Sequence, residues 1–188
     1  MKHKRLLCAV GLAILPTSLP QRSDAGHRKL AHEANPPSSD VVSFHFPTQV
    51  TFRGAAKEAV TLSMQIHIKK GYHIQGNPAG AAHFIATEVK LQSYPLEAVR
   101  VGTPRYPPGT PYQPAGLPAP VLIYRDSVEI KVPLSSEPNS KALGMGLAAL
   151  EGDITYQACS ERSCFPPRTQ TIRIPVVRVK GGAQIKPS

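Results

Sequence analysis

An all-β sandwich is the fold class this sequence predicts, on three observations. Val60, Leu62, Met64, Ile66 and Ile68 alternate with Thr61, Ser63, Gln65 and His67, a period of two that buries one face of a sheet. Val128, Ile130, Val132 and Leu134 repeat the pattern, with Glu129 and Lys131 between them. Helical patterning is nearly absent, and about seven to nine short strands divided by turn residues make the pattern of a sandwich.

Taken in order, Val41 to Phe46 reads as a short strand. The long strand from Val60 carries His67 on its outward face, as a surface histidine, and ends at a Lys69-Lys70-Gly71 turn. Tyr72 to Gln75 is a short strand running into a loop with Gly76, Pro78 and Gly80, and Phe84 to Leu91 and Val99 to Val101 again have strand composition. Between Thr103 and Pro120 the prolines 104, 107, 108, 111, 114, 118 and 120 remove so many N–H donors that no ladder is expected. A loop of this length inside a compact domain is usually functional or disordered, and its prolines favour a semi-rigid flap over a floppy one. Strand pattern returns at Val121 to Tyr124, turns at Arg125-Asp126, continues from Val128 to Leu134 and gives way to a polar turn from Ser135 to Ser140. Ala142 to Leu150 has helical composition weakened by Gly144 and Gly146. Next, Ile154, Tyr156 and Ala158 share one face while Thr155, Gln157 and Cys159 share the other, so Cys159 is expected to point from the core toward solvent. Ile172, Ile174 and Val176 form a last strand.

The length of 188 residues with 41% hydrophobic content fits one domain plus tails. Met1-Lys2-His3-Lys4-Arg5, an apolar run from Leu6 to Leu15 and the small residues before Gly26 read as a secretory signal peptide over residues 1–25, with Cys8 leaving in it. The run is too short to cross a bilayer, so no stable membrane insertion is expected after cleavage. Losing four basic residues (Lys2, Lys4, Arg5, Arg22) and one acidic residue (Asp24) takes the formal charge from +10 to +7. The remaining cations are scattered along alternating strands without interleaved aromatics, which argues against nucleic-acid binding and allows steering of an acidic partner. Residues 26–40, with His27, His32 and Pro36-Pro37, read as a flexible leader, residues 41–180 as the domain and 181–188 as a loose tail.

The exported chain then holds one cysteine pair, Cys159 and Cys164, in a compartment where disulfides form. Four residues separate them, a spacing that suits a local bridge and neither a thioredoxin-type site nor half a zinc site. Closing so small a loop is worth only about 2 kcal/mol, which favours a bond made to open and close. The pair supplies nucleophile and resolver; Arg162 and Arg168 would lower a neighbouring thiol's pKa and Glu161 would oppose them. Phe165-Pro166-Pro167 stiffens the exit from the loop. Two other readings stay open: a binding or chaperone module pinned by a structural disulfide, and a copper or zinc carrier using the cysteines with His73 or His83.

Tyr156-Gln157-Ala158-Cys159 through Cys164-Phe165-Pro166-Pro167 resembles the active-site motif of the N-terminal periplasmic domain of the DsbD family of thiol:disulfide interchange proteins. Gly71-Tyr72-His73-Ile74 with Asn77-Pro78, Phe84-Ile85 through Thr87, and Ile123-Tyr124-Arg125-Asp126 agree with it, so the similarity covers roughly residues 40–180. The resemblance implies an immunoglobulin-like sandwich without a cofactor, taking electrons from a thioredoxin-like donor and passing them to periplasmic oxidoreductases. It implies that Cys159 and Cys164 shuttle between disulfide and dithiol, flanked by Tyr156, Gln157, Glu161 and Pro166. It also implies a cap loop at Thr103–Pro120, with Tyr106 or Tyr112 as lid aromatic. In a Cys164→Ser variant a mixed disulfide would be trapped through Cys159. Ala86 departs from the proline of many relatives. Relatives also continue into membrane and thioredoxin-like domains, whereas this chain ends at Ser188; the expectation is a free-standing module supplied by a separate electron donor.

Overall fold

The computed structural model describes residues 40–54, 57–114 and 116–179. The predicted signal peptide, the leader as far as residue 39 and the tail 181–188 lie outside the described residues. Along the chain run β1 (Val42–His45), β2 (Val50–Arg53), β3 (Ala59–Ile68), β4 (His73–Gln75), β5 (Glu88–Tyr94), β6 (Val99–Val101), β7 (Thr110–Tyr112), β8 (Val121–Tyr124), β9 (Ser127–Ser136), α1 (Lys141–Gly144), β10 (Ala148–Tyr156), β11 (Ala158–Cys159) and β12 (Arg168–Val179). They form three four-stranded sheets, β1-β3-β9-β6, β2-β12-β10-β5 and β11-β4-β8-β7. The first two share one hydrophobic core as an immunoglobulin-like β-sandwich, and the third is the small sheet that carries the cysteines.

The predicted alternation builds the first sheet. β3 and β9 pair so that Leu62 meets Val132, Met64 meets Ile130 and Ile66 meets Val128, all buried. Burying such a side chain is worth about 1.5–3 kcal/mol. A register slip of one residue would exchange that set for Thr61, Ser63 and Gln65, so the pairing is strongly specified.

Four local departures have physical reasons. β2, which runs parallel to β12, is too short to show a period, yet its Phe52 is fully buried. The strand expected from Phe84 starts only at Glu88, because Thr87 before it is a loop anchor whose Oγ1 donates to the Gln75 carbonyl at 2.5 Å. In place of a helix over 142–150, α1 makes one turn capped by Ser140, whose side chain accepts from Leu143 N at 3.2 Å. Gly146, at φ 70°, turns the chain into β10. Finally, the proline-rich segment does hold a short ladder: Arg105 bridges Lys131, and β7 pairs with β8, setting Tyr112 against Val121. Pro111 fits there because β7 is an edge strand, where an absent N–H leaves no partner unpaired.

Gly152 marks a close approach of β10 to β5. A Cβ there would lie 1.9 Å from the carbonyl oxygen of Lys90, an atom fixed in the neighbouring ladder. Gly152→Ala is therefore expected to lower stability by about 1–3 kcal/mol, the usual cost of overpacking. Chemical denaturation checks this; an unchanged midpoint would mean that the two strands separate freely at this point.

Candidate functional site

β10 and β11 follow one another in sequence but belong to different sheets. Tyr156 pairs with Arg168 in β12, whereas Ala158 pairs with Ile74 and Cys159 with His73 in β4. Gln157 is the joint between them. Its carbonyl accepts from Gln75 N at 3.1 Å, its Nε2 donates to the Phe165 carbonyl at 3.2 Å, and its Oε1 accepts from Ile85 N at 3.2 Å. Tyr156 is buried with its ring edge-on to Phe44, the centroids 5.3 Å apart.

Cys159 and Cys164 form a disulfide with Cα atoms 3.9 Å apart. The residues between them fold as a tight turn. Ser160 N donates to the Ser163 carbonyl at 2.8 Å, and Ser160 Oγ accepts from the backbone N–H groups of Arg162 and Ser163, each at 3.2 Å. Phe165 N closes the turn on the Ala158 carbonyl at 2.8 Å, and the buried Phe165 ring stacks on Tyr72. The turn thus has its own hydrogen bonds besides the sulfur bridge.

The two sulfurs are not equivalent. Cys164 is exposed, but Cys159 is 1% exposed. Cys159 does share the side of the sheet opposite Ala158, which enters the core. It fails to reach solvent because other segments cover that side. A cavity of about 330 Å³ over the disulfide is lined by His73, Gln75, Phe84, Tyr112 and Pro114 together with the cysteine turn, including Glu161 and Arg162. Period-two reasoning gives a side chain's direction; what lies above it depends on loops distant in sequence.

The candidate cap residues separate in space. Tyr112 lies at the disulfide cavity, its ring 5.0 Å from that of His73 and under the Arg125 guanidinium, also 5.0 Å away. Tyr106 lies at the other end of the proline-rich segment and does not line this cavity. Its hydroxyl accepts from Val89 N at 2.8 Å, and burial raises its pKa. Tyr124 Oη accepts from Asn77 N at 3.2 Å and donates to the Pro107 carbonyl at 2.9 Å. These bonds fasten the start of the proline-rich segment. Pro166 is exposed just beyond the turn, and Arg168 takes its place in the β12 ladder.

Burial, helped by the nearby Arg125 charge, lowers the His73 pKa to about 4, so its imidazole is neutral near pH 7. His83 packs on Phe84 with ring centroids 4.4 Å apart and does not line the cavity. Among the described residues no group of three or more His, Cys, Asp or Glu side chains is placed to hold a metal ion. Gln75 was not singled out by sequence reasoning, although a signal existed: alternation in β4 sets His73 and Gln75 together, opposite the core residue Ile74.

An immunoglobulin-like domain with a local, unequally exposed disulfide beside a proline-rich segment is the class of protein that fold and site define. The chain belongs to the DsbD N-terminal domain family: the family described as "Thiol:disulfide interchange protein DsbD, N-terminal" matches residues 42–175. Its fold is similar to the crystal structure of the N-terminal periplasmic domain of ScsB from Proteus mirabilis, with a TM-score of 0.50 and 15% identity. That match covers 74% of this chain and 48% of the other, so the chain spans about half the length of that relative. A structure concerning aggregative adherence fimbriae of enteroaggregative Escherichia coli is 14% identical with a TM-score of 0.30, covering 73% of this chain and 99% of that one. No curated protein matches the chain.

Proposed function

We propose that this chain is an exported thiol–disulfide exchange module, passing reducing equivalents from a thioredoxin-like donor to periplasmic oxidoreductases through the Cys159/Cys164 couple. The observation that carries the reading is the asymmetry of the bond: one cysteine is exposed, and its partner is buried beneath a cap. Exchange needs one accessible sulfur for attack and a second held nearby to leave and later to resolve the mixed disulfide. Burial favours Cys164 as the sulfur that meets the partner, the reverse of the Cys164→Ser trap anticipated with the exchange reading of the sequence. The backbone hydrogen bonds of the 160–163 turn support a redox role over a structural pin, because they close the turn independently of the sulfur bridge.

Export rests on the signal-peptide pattern of residues 1–25 and on the periplasmic origin of the ScsB domain. Among the described residues no helix is long and apolar enough to cross a membrane. Thioredoxin-fold dithiols are the partners this chemistry fits, because they present an exposed low-pKa thiol.

Incubating the oxidised chain with a reduced thioredoxin-fold protein is expected to release two thiols per chain, counted by alkylation and mass. A bond that yields to dithiothreitol but stays intact with such proteins would overturn the reading in favour of a structural disulfide.

A further inference from the structure

Gln75 stands beneath the disulfide, 1% exposed, on the same side of β4 as His73. Its backbone is clamped, with N donating to the Gln157 carbonyl at 3.1 Å and its carbonyl accepting from Thr87 Oγ1 at 2.5 Å. The side-chain Nε2 donates to Cys159 Sγ at 3.4 Å, while Oε1 is buried and has no hydrogen-bond partner among the described residues. A buried amide oxygen left unpaired is costly, and a disulfide sulfur is a poor acceptor with no hydrogen to give in return. With the bond closed, this amide is served badly at both ends.

We propose that Gln75 is a positioning residue that tunes the couple: its amide favours Cys159 as a free sulfur over Cys159 in the disulfide, and so makes it the leaving group. This rests on the exchange reading above. When a thiolate of a protein dithiol attacks Cys164 Sγ, a new S–S bond forms there and the Cys159–Cys164 bond breaks. Its electron pair stays on Cys159 Sγ, and the contact from Gln75 Nε2 becomes a charge-assisted hydrogen bond to a thiolate. Once protonated, Cys159 can turn its S–H toward Gln75 Oε1, supplying the missing donor. The second thiolate of the dithiol then attacks its own bridged sulfur and expels Cys164 as a thiolate. Two electrons have passed to the domain, and the two protons given up by the dithiol are balanced by two taken from solvent. With Cys159 and Gln75 each 1% exposed, little solvent competes with the amide for the sulfur. A glutamine does this without placing an anion beside the thiolate.

The test is the equilibrium of the full chain with a glutathione redox buffer. Gln75→Met keeps the volume and removes the amide. It is expected to move the equilibrium about tenfold toward the disulfide, about 30 mV for a two-electron couple, and to slow reduction by dithiothreitol by a similar factor. A melting temperature lowered in both redox states, with the equilibrium within twofold of the parent, would assign Gln75 a purely structural role and overturn the proposal. Should the variant not fold, the unmodified chain still decides. The side-chain amide resonances of Gln75 are expected to shift on reduction, and identical resonances in the two redox states would overturn it. Glutathione reads Gln75 without a protein partner, so failure of exchange with thioredoxin-fold proteins is registered separately.

Discussion

Cys159→Ser, mixed with a thioredoxin-fold partner whose thiol has been activated as a mixed disulfide, is expected to accumulate a near-stoichiometric adduct through Cys164. Cys164→Ser is expected to give almost none. The exposed Cys164 can be approached in line, whereas Cys159 lies under Tyr112, Pro114 and Phe84. Removing Cys159 also removes the resolving sulfur, so the adduct persists. Non-reducing electrophoresis and mass spectrometry of the linked peptides check this. Adduct formation through Cys159 at a comparable rate would show that the cap opens fully, and the assignment of attacked and leaving sulfur would be reversed.

The second large effect is a loss of stability in mild acid that originates at His73. Unfolded, this histidine titrates near 6.5; folded, burial and the Arg125 charge hold it at about 4. The unfolded chain therefore binds more protons between these values, so stability is full above pH 6.5 and declines as pH falls toward 4. Over the whole window the loss amounts to at most about 3 kcal/mol from this one group. His73→Phe, which keeps an apolar ring beside Tyr112, is expected to remove most of the slope in denaturation midpoints measured across the window. An unchanged slope would place the acid sensitivity elsewhere. Protonation would also set two positive groups, His73 and Arg125, each 5.0 Å from the Tyr112 ring. Reduction of the bond by a small thiolate-rich reagent, corrected for thiolate content, is the readout for any accompanying loosening of the cap.

Much of this molecule was legible before its structure. The alternation in β3 and β9 is long enough that burial of one face follows from it, and the structure shows that burial; their pairing with each other is given by the structure alone. The cysteine spacing allowed a local bridge, and the bridge is present. Short or irregular elements were less legible. β2 has four residues and β7 three, too few for a period to rise above chance. The helical composition after Ser140 yielded to strand because Ala148–Leu150 are buried in pairing with β12 and β5. Tertiary packing outweighs the small propensity differences among such residues.

Sequence by itself determined the sandwich and the redox-capable pair, because alternation, turn residues and cysteine spacing act over a few neighbouring positions. Only the tertiary structure decided that the two sulfurs differ, that Tyr112 rather than Tyr106 lines the cavity above them, and that His73 and Gln75 lie beneath. Those facts depend on β4, β11 and the cap segment meeting across tens of residues, where local patterns carry no information about what a side chain will face. Desolvation and unpaired hydrogen-bonding groups, which set the chemistry of this site, come into being only at such meetings.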